Sequence, residues 1–252
     1  MPLSFLPSLD PVVILAMLLI FLFSGVVKGF LGIGLPTAAM AFLTLVMEPT
    51  EAIALLTIPI IATNFFQFTR SSERIQTVKN YRYFALAIMV SIFFTSWNIT
   101  AFPTAFLTVV IGFTMVIFSA NLLFGFSLPI GPSLRWQIGV GVISGFLGGL
   151  SSIWSPPVAM YLMARNTPKE QFIAATGFLF LAGCFPLALG LYLSGVLTPL
   201  TAVKSLMGLV VVLFGFRIGE LLRGRVSQKL FRKFVLIAFL VMGVRLVLAG
   251  II

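Results

Sequence analysis

The sequence predicts an all-α membrane protein: a polytopic helical bundle made of two inverted repeats, each containing one helix broken by glycine and proline. Of its 252 residues, 60% are hydrophobic and 9% are charged, with a mean hydropathy of +1.17. Soluble domains carry about 25% charged residues, so this composition excludes a water-soluble fold. Apolar segments recur along the whole chain, and a motif from the first half returns in the second.

Ten apolar segments follow one another, and several are shorter than the roughly 20 residues needed to cross a bilayer as a helix. They cover residues 11–27, 36–47, 52–68, 83–101, 103–124, 136–147, 156–163, 172–193, 200–216 and 234–252. The short segments occur at two places, "KGFLGIGLP" at 28–36 and "SGFLGGLSSIWSPP" at 144–157. We therefore expect about four hydrophobic units in each half, with one unit broken at each of these places.

The two broken segments belong to a longer repeat. "GFLG" at 29–32 returns at 145–148, "LPTAAM" at 35–40 is echoed by "SPPVAM" at 155–160, and "EPTEA" at 48–52 corresponds to "TPKEQ" at 167–171. Four matches in the same order, Thr57 with Thr176 being the last, indicate a duplication, which is common in transporters. The prediction is one integral membrane domain built from a repeat at 1–125 and a repeat at 126–252.

The loop charges predict how the repeats are oriented. The loop "FTRSSERIQTVKNYRYF" at 68–84 is basic, whereas its counterpart "LSGVLTPLTAV" at 193–203 is uncharged. The other pair is reversed, because "NITAFPT" at 98–104 is uncharged and "FRIGELLRGRVSQKLFRKF" at 216–234 is strongly basic. Since basic loops stay in the cytoplasm, the repeats are expected to be antiparallel. This predicts a multi-pass membrane protein, with both termini extracytoplasmic if each broken unit returns to the side on which it entered.

Antiparallel repeats need an odd number of crossings each, which four hydrophobic units do not provide. If each broken unit is a re-entrant hairpin, which enters and leaves the membrane on the same side, it adds no full crossing and the number of crossings in each repeat becomes odd. The alternative is that both broken units cross fully, which would leave one basic loop outside the cell. The sequence leaves both arrangements open.

Lys28 stands inside the first broken segment, where a charged side chain is unexpected. An unpaired ammonium at bilayer depth costs at least about 2.5–3.5 kcal/mol. All six acidic residues fall at segment ends or in loops, so a small bound anion is the economical counter-ion. The alternative is that Lys28 reaches an interface with its long side chain. Substrate-binding candidates around it are Gly29, Gly32 and Gly34, whose backbone amides are freed by the break.

Further candidates come from hydroxyl and amide side chains near the two breaks. Ser151, Ser152 and Ser155 follow the second break and are expected to complete an anion shell, although small serines also favour close helix packing. On the segment after the first break, Asn64 and Gln67 share a helical face. They are expected to line a polar pathway or to bond neighbouring helices. Thr57 and its repeat counterpart Thr176 are added to the predicted substrate-binding set.

Composition also excludes several functions. The chain has no histidine and one cysteine, so a Ser-His relay, histidine-ligated haem and the common metal hydrolases lack their residues. We expect no enzyme activity, no metal and no cofactor. The net charge of +10 falls mostly in two short loops, which the positive-inside rule explains without nucleic-acid binding. The expected partners are a small anionic substrate and membrane lipid, and the sequence leaves a homo-oligomer open.

The segments "GVVKGFLGIGLPTAAM" at 25–40 and "GVISGFLGGLSSIWSPPVAM" at 141–160 resemble the TauE/SafE family of sulfite and organosulfonate exporter-like membrane proteins. The resemblance covers nearly the whole chain. It implies a bacterial inner-membrane transporter, expected to be an exporter, for small sulfur-containing anions or related organic acids. The glycine triplet usual in the family is replaced here by alternating glycines in the first break and by "GGLSSIWSPP" in the second. Uptake of a small metabolite and a non-transporting membrane scaffold are the alternative functions.

Overall fold

The structure is a computed structural model that describes residues 11–125, 131 and 133–252. These residues form ten α-helices and no strand. The helices are α1 (Pro11–Leu31), α2 (Leu35–Leu43), α3 (Pro49–Thr69), α4 (Arg74–Trp97), α5 (Thr104–Phe124), α6 (Leu134–Ser151), α7 (Ser155–Ala164), α8 (Lys169–Leu193), α9 (Pro199–Leu222) and α10 (Gln228–Ile251). A single 3₁₀ turn, Ile99–Ala101, joins α4 to α5. The fold is all-helical, as the sequence predicts.

Within the described residues, six helices are long and apolar enough to cross a membrane. They are α1, α3, α5, α8, α9 and α10. The protein is therefore a multi-pass membrane protein. The two shortest helices, α2 with 9 residues and α7 with 10, are the segments that follow the predicted breaks. The described residues of each half form five helices, which make four units when α1 with α2 and α6 with α7 are each counted as one broken unit.

The first break reverses the chain. Gly32 and Gly34 have φ angles of 80° and 93°, in the left-handed region that glycine adopts without steric penalty. The Gly32 amide closes α1 by donating to the Lys28 carbonyl at 2.8 Å. Pro36 stands in the first turn of α2, where its missing N–H is no loss. Helix α2 then runs back along α1, with the rings of Phe23 and Phe42 5.8 Å apart.

The second break shares one left-handed residue with the first but carries different side chains, and Trp154 has a φ angle of −101° where Gly34 has 93°. Ser152, with a φ angle of 58°, takes the left-handed conformation that Gly32 has in the first break. Its amide donates to the Gly148 carbonyl at 2.8 Å and closes α6. Pro156 stands in the first turn of α7. The Ser144 hydroxyl donates to the Trp154 carbonyl at 2.5 Å, which ties the start of the returning segment to α6.

Helices from the two halves of the chain interleave. Helix α1 packs along α9, α4 packs along α6 and α8, α3 packs along α8 and α9, and α5 packs along α10. Glycine allows the closest of these contacts: a Cβ on Gly29 would overlap the α9 backbone at Phe216, and a Cβ on Gly145 would overlap the α4 backbone at Ile88. Small residues at such contacts let membrane helices approach closely.

The charged residues mark one face of the bundle. Arg70, at the end of α3, lies 3.4 Å from Glu220 near the end of α9, and Arg217 lies 3.1 Å from the same carboxylate. We call this end, together with the starts of α4 and α10, the basic face. Helix α1 runs parallel to α9 and α10 antiparallel to α5, as their glycine contacts show. The start of α1 and the end of α10 therefore both lie at the opposite face.

Candidate functional site

A small cavity lies between the two breaks, and we call it the donor cavity. It is lined by residues from α1, α2, α3, α7, α8 and the second break: Lys28, Gly34, Leu35, Pro36, Ile60, Thr63, Asn64, Ser152, Trp154, Ser155 and Phe180. Phe180 lies at the middle of α8, so the cavity is deep within the bundle. Its volume is about 10 Å³, which is about the space that one water molecule requires. An oxyanion of four or more heavy atoms needs the cavity to expand.

Lys28 is buried in the bundle and does not reach an interface. Its side chain is 2% exposed, and its ammonium group donates to the Asn64 Oδ1 at 2.7 Å. The ammonium also lies 5.9 Å from the centre of the Phe180 ring. An amide oxygen is a neutral partner, and a lysine ammonium has three N–H donors. The structure therefore surrounds this cation with an amide and a ring face but with no carboxylate among the residues lining the cavity.

Three hydrogen-bond donors lining the same cavity have no partner. The hydroxyls of Ser152 and Ser155 and the Trp154 indole nitrogen are buried, and none makes a hydrogen bond within the described residues. A buried polar group left unpaired costs about 1–3 kcal/mol, so such groups call for a structural or functional explanation. Together with the Lys28 ammonium, they form a set of donors that can bind an anion.

Two helices begin at the donor cavity. Gly34 precedes α2 and Trp154 precedes α7, and neither helix start is capped by a side chain. The first amides of a helix have no partner within the helix, and they carry partial positive charge. Both helix starts therefore add to the electropositive character that Lys28 gives the cavity.

Asn64 is held in place from a second helix. Its side-chain amide lies 3.8 Å from the sulfur of Cys184 on α8, and the Cys184 thiol donates to the Phe180 carbonyl at 3.0 Å. The Asn64 oxygen is thereby turned towards Lys28. The single cysteine thus lies directly behind the cavity wall.

The structure brings some of the predicted binding residues together and places others elsewhere. Lys28, Gly34, Asn64, Ser152 and Ser155 line the donor cavity. The other predicted residues do not line it: Gly29, Gly32, Thr57, Gln67, Ser151 and Thr176.

Each of the residues outside the cavity has its own contacts. The Gln67 amide donates to the Thr176 hydroxyl at 3.1 Å, which links α3 to α8. Thr57 and Ser151 bond carbonyls within their own helices, at 3.3 and 2.6 Å. Gly29 packs against α9. The two amide side chains on α3 were expected either to line a polar pathway or to bond neighbouring helices. Gln67 bonds a neighbouring helix, whereas Asn64 faces the cavity.

Sequence reasoning missed residues that shape the site from outside the two motifs. Phe180 closes the cavity from α8, and no local pattern distinguishes it among 27 phenylalanines. Arg223, in the basic loop after α9, donates to the carbonyls of Phe30 and Gly29 at 3.0 and 2.5 Å. It therefore caps the end of α1 next to the first break. Its position in a basic loop explained its charge but gave no indication of this contact.

Comparison with known proteins gives one match. A family model described as "Sulfite exporter TauE/SafE" matches residues 17–246, which include both breaks and all ten helices in whole or in part. No curated protein and no solved structure matches the chain. Because the family match spans nearly the whole sequence, as the motifs around both breaks predict, the chain belongs to the TauE/SafE family of membrane transporters.

Proposed function

We propose that the protein exports a small anion, such as sulfite, an organosulfonate or a related organic acid, through the donor cavity between two inverted repeats. The repeats are residues 1–125 and 126–252, in a bacterial inner membrane with both termini extracytoplasmic. The observation that carries the proposal is the buried Lys28 ammonium, which shares its cavity with three unpartnered hydrogen-bond donors.

The charge balance of the cavity favours an anion over a neutral solute. A buried ammonium is stabilised by an opposite charge, and Asn64 supplies only a dipole. The hydroxyls of Ser152 and Ser155 and the Trp154 N–H all donate to anionic oxygens. Hydrogen bonds to charged groups contribute about 1.5–3 kcal/mol each, so these donors suit an oxyanion with several acceptor oxygens.

The pairing of helices supports the inverted repeats. In the proposed repeats, α1–α5 correspond in order to α6–α10. The contact of α1 with α9 then corresponds to the contact of α6 with α4. The contact of α3 with α9 corresponds in the same way to the contact of α8 with α4. Both corresponding pairs are present, and the contacts of α3 with α8 and of α5 with α10 map onto themselves. Such a correspondence is expected of two repeats that face each other across the substrate site.

Export is the direction favoured by the membrane potential. With the cytoplasm negative, expelling one negative charge releases about 2.3 kcal/mol per 100 mV, so no coupling ion is needed. The positive-inside rule assigns the basic face to the cytoplasm. Because the donor cavity holds about one water molecule, substrate passage requires the helices around the two breaks to separate.

The test is anion flux in proteoliposomes with an imposed membrane potential, comparing the native chain with Lys28→Met. Sulfite and short organosulfonates are the substrates offered. We expect outward flux to rise with the potential and to fall at least about tenfold in Lys28→Met, the equivalent of 1.4 kcal/mol. Lys204→Met is the matched control, because Lys204 is also set in an apolar helix but pairs with Glu51 at 3.4 Å, away from the cavity.

The same assay separates the alternatives. Accumulation against the outward driving force would identify an uptake permease instead. A membrane scaffold would show no flux and would lose its partner when the charges of the basic loops are removed. Equal flux in the native chain and in a well-folded Lys28→Met variant would refute the anion site.

A further inference from the structure

Two further cavities lie end to end between the basic face and the donor cavity. The inner one, of about 280 Å³, is lined mainly by apolar residues from α5, α7, α8 and α10, and it touches Gly34. The outer one, of about 720 Å³, lies at the start of α10. Leu31, Leu122, Arg232 and Leu236 line both cavities, so the two share a wall. We call the outer cavity the mouth and the inner one the chamber.

The mouth is basic, and the chamber is apolar apart from Arg232, which lines both. Lys229, Arg232 and Lys233 line the mouth, and no acidic residue is among its lining residues. Arg232 also donates to the Leu122 carbonyl at 3.1 Å, which fixes its position beside α5. Further in, Leu236 and Phe239 follow on the same face of α10. At 1.5 Å per residue, the path from Lys229 to Phe239 is about 15 Å long, roughly half the thickness of a bilayer core.

Gly34 separates the chamber from the donor cavity, since it lines both. A Cβ at this position would approach the Phe239 ring to 3.8 Å, so the absence of a side chain keeps the partition thin. In the repeat, "LPTAAM" and "SPPVAM" are 120 residues apart, and the same offset pairs Gly34 with Trp154. Trp154 is buried, and its ring packs against Phe180 at 6.1 Å. The first break therefore borders the chamber through a glycine, Gly34, whereas the second break has a large packed ring, Trp154, at the corresponding position.

We propose that the mouth and chamber are the entry passage by which the anion reaches the donor cavity from the basic face, with Trp154 closing the opposite side. This inference rests on the proposed function for the identity of the solute. The basic mouth concentrates anions, because clefts lined by one sign of charge raise the local concentration of oppositely charged ligands. The apolar chamber then removes water from the anion before it meets Lys28 and the free donors at Gly34.

Thiol labelling tests the passage independently of transport. Leu236→Cys places a thiol on the wall shared by mouth and chamber, and Leu246→Cys places one on the same helix at a similarly buried position that lines neither cavity. The probes are two membrane-impermeant methanethiosulfonates of similar size, one bearing a sulfonate and one a quaternary ammonium. The native chain, whose single cysteine Cys184 is buried, gives the background.

We expect Leu236→Cys to react in inside-out vesicles and not in right-side-out vesicles, and Leu246→Cys to react in neither. The sulfonate reagent should react at least about tenfold faster than the ammonium reagent at low salt, since electrostatic steering raises encounter rates about 10–10³-fold. Lys229→Gln with Lys233→Gln should remove this preference. The control pair Arg74→Gln with Lys79→Gln removes equal charge from exposed positions on α4 and should preserve it.

The outcomes distinguish the two proposals. Labelling of Leu236→Cys from the opposite side, or at the rate of Leu246→Cys, overturns the passage. An unchanged reagent preference after neutralisation of the mouth overturns its role in attracting anions. One-sided, charge-selective labelling together with absent anion flux would instead leave the passage standing and refute the proposed transport function.

Discussion

Replacing Ser152 with glycine should make the protein more stable and a poorer transporter. Ser152 holds a φ angle of 58°, a conformation that costs a non-glycine residue about 1–2 kcal/mol. Its hydroxyl is buried without a partner, which costs about 1–3 kcal/mol more. Both penalties disappear in Ser152→Gly. The greater conformational freedom of glycine in the unfolded chain lowers the stability by only about 0.5–1 kcal/mol.

The expected net stabilisation is about 1–4 kcal/mol. It should be visible as a higher unfolding temperature of the detergent-solubilised protein. The hydroxyl, in contrast, is one of the donors offered to the anion. A hydrogen bond to a charged group contributes about 1.5–3 kcal/mol, so the apparent KM for anion flux should rise about 10- to 150-fold.

Asn166→Gly is the matched control. Apart from Ser152, Asn166 is the one non-glycine residue with positive φ in the described ranges, at 50°, and it lies in the loop after α7 outside the donor cavity. Asparagine tolerates this conformation better than serine does, so the replacement should raise stability by less than Ser152→Gly does, and KM should stay constant because the donor set is untouched. A folded Ser152→Gly variant with unchanged KM, or one that is less stable than the native chain, would refute the reasoning.

Three other variants follow from contacts in the structure. Asn64→Asp should give Lys28 a carboxylate counter-ion and weaken anion binding, so that KM rises about 100-fold. The reason is that the new carboxylate and the bound anion, about 5 Å apart, repel by about 3 kcal/mol. An unchanged KM would contradict this. Arg223→Gln should uncap the end of α1 and lower the free energy of unfolding by about 1–3 kcal/mol, whereas Arg225→Gln should not. In thermal unfolding, Gly29→Ala should destabilise through its clash with α9, while Gly139→Ala, which meets open space, should be neutral or stabilising.

The sequence was sufficient to predict features that depend on local chemistry. Hydropathy alone indicates membrane helices, and both interruptions fall where glycine, serine and proline cluster. Pro36 and Pro156 stand in the first turns of α2 and α7, as their missing N–H groups require. In each half the chain turns back at the break, which is the geometry of the re-entrant alternative, although α1 is a full 21-residue helix.

The remaining features depend on packing between distant segments, which local patterns do not encode. The partner of Lys28 is 36 residues away, and it faces the ammonium only because α3 packs against α8 behind it. Asn64 and Gln67 share a helical face and were treated alike, yet one lines the cavity and the other bonds Thr176. A difference of one helical turn in depth separates these two outcomes. The cavity volume, likewise, follows from Trp154 and Phe180, whose rings no spacing rule brings together.

Both breaks begin with a left-handed residue, Gly32 or Ser152, but they have divided the chemistry between them. Where the first has Lys28, the second has Ser144, whose hydroxyl is used to hold the Trp154 carbonyl. Where α3 has Asn64, the offset that pairs Thr57 with Thr176 gives Gly183, and the Trp154 ring packs into the space this glycine leaves. A second lysine would repel the first by about 3 kcal/mol at about 5 Å. One cation therefore suffices for a single anion, and Ser144, at the position that repeats Lys28, is free to hold the Trp154 carbonyl instead.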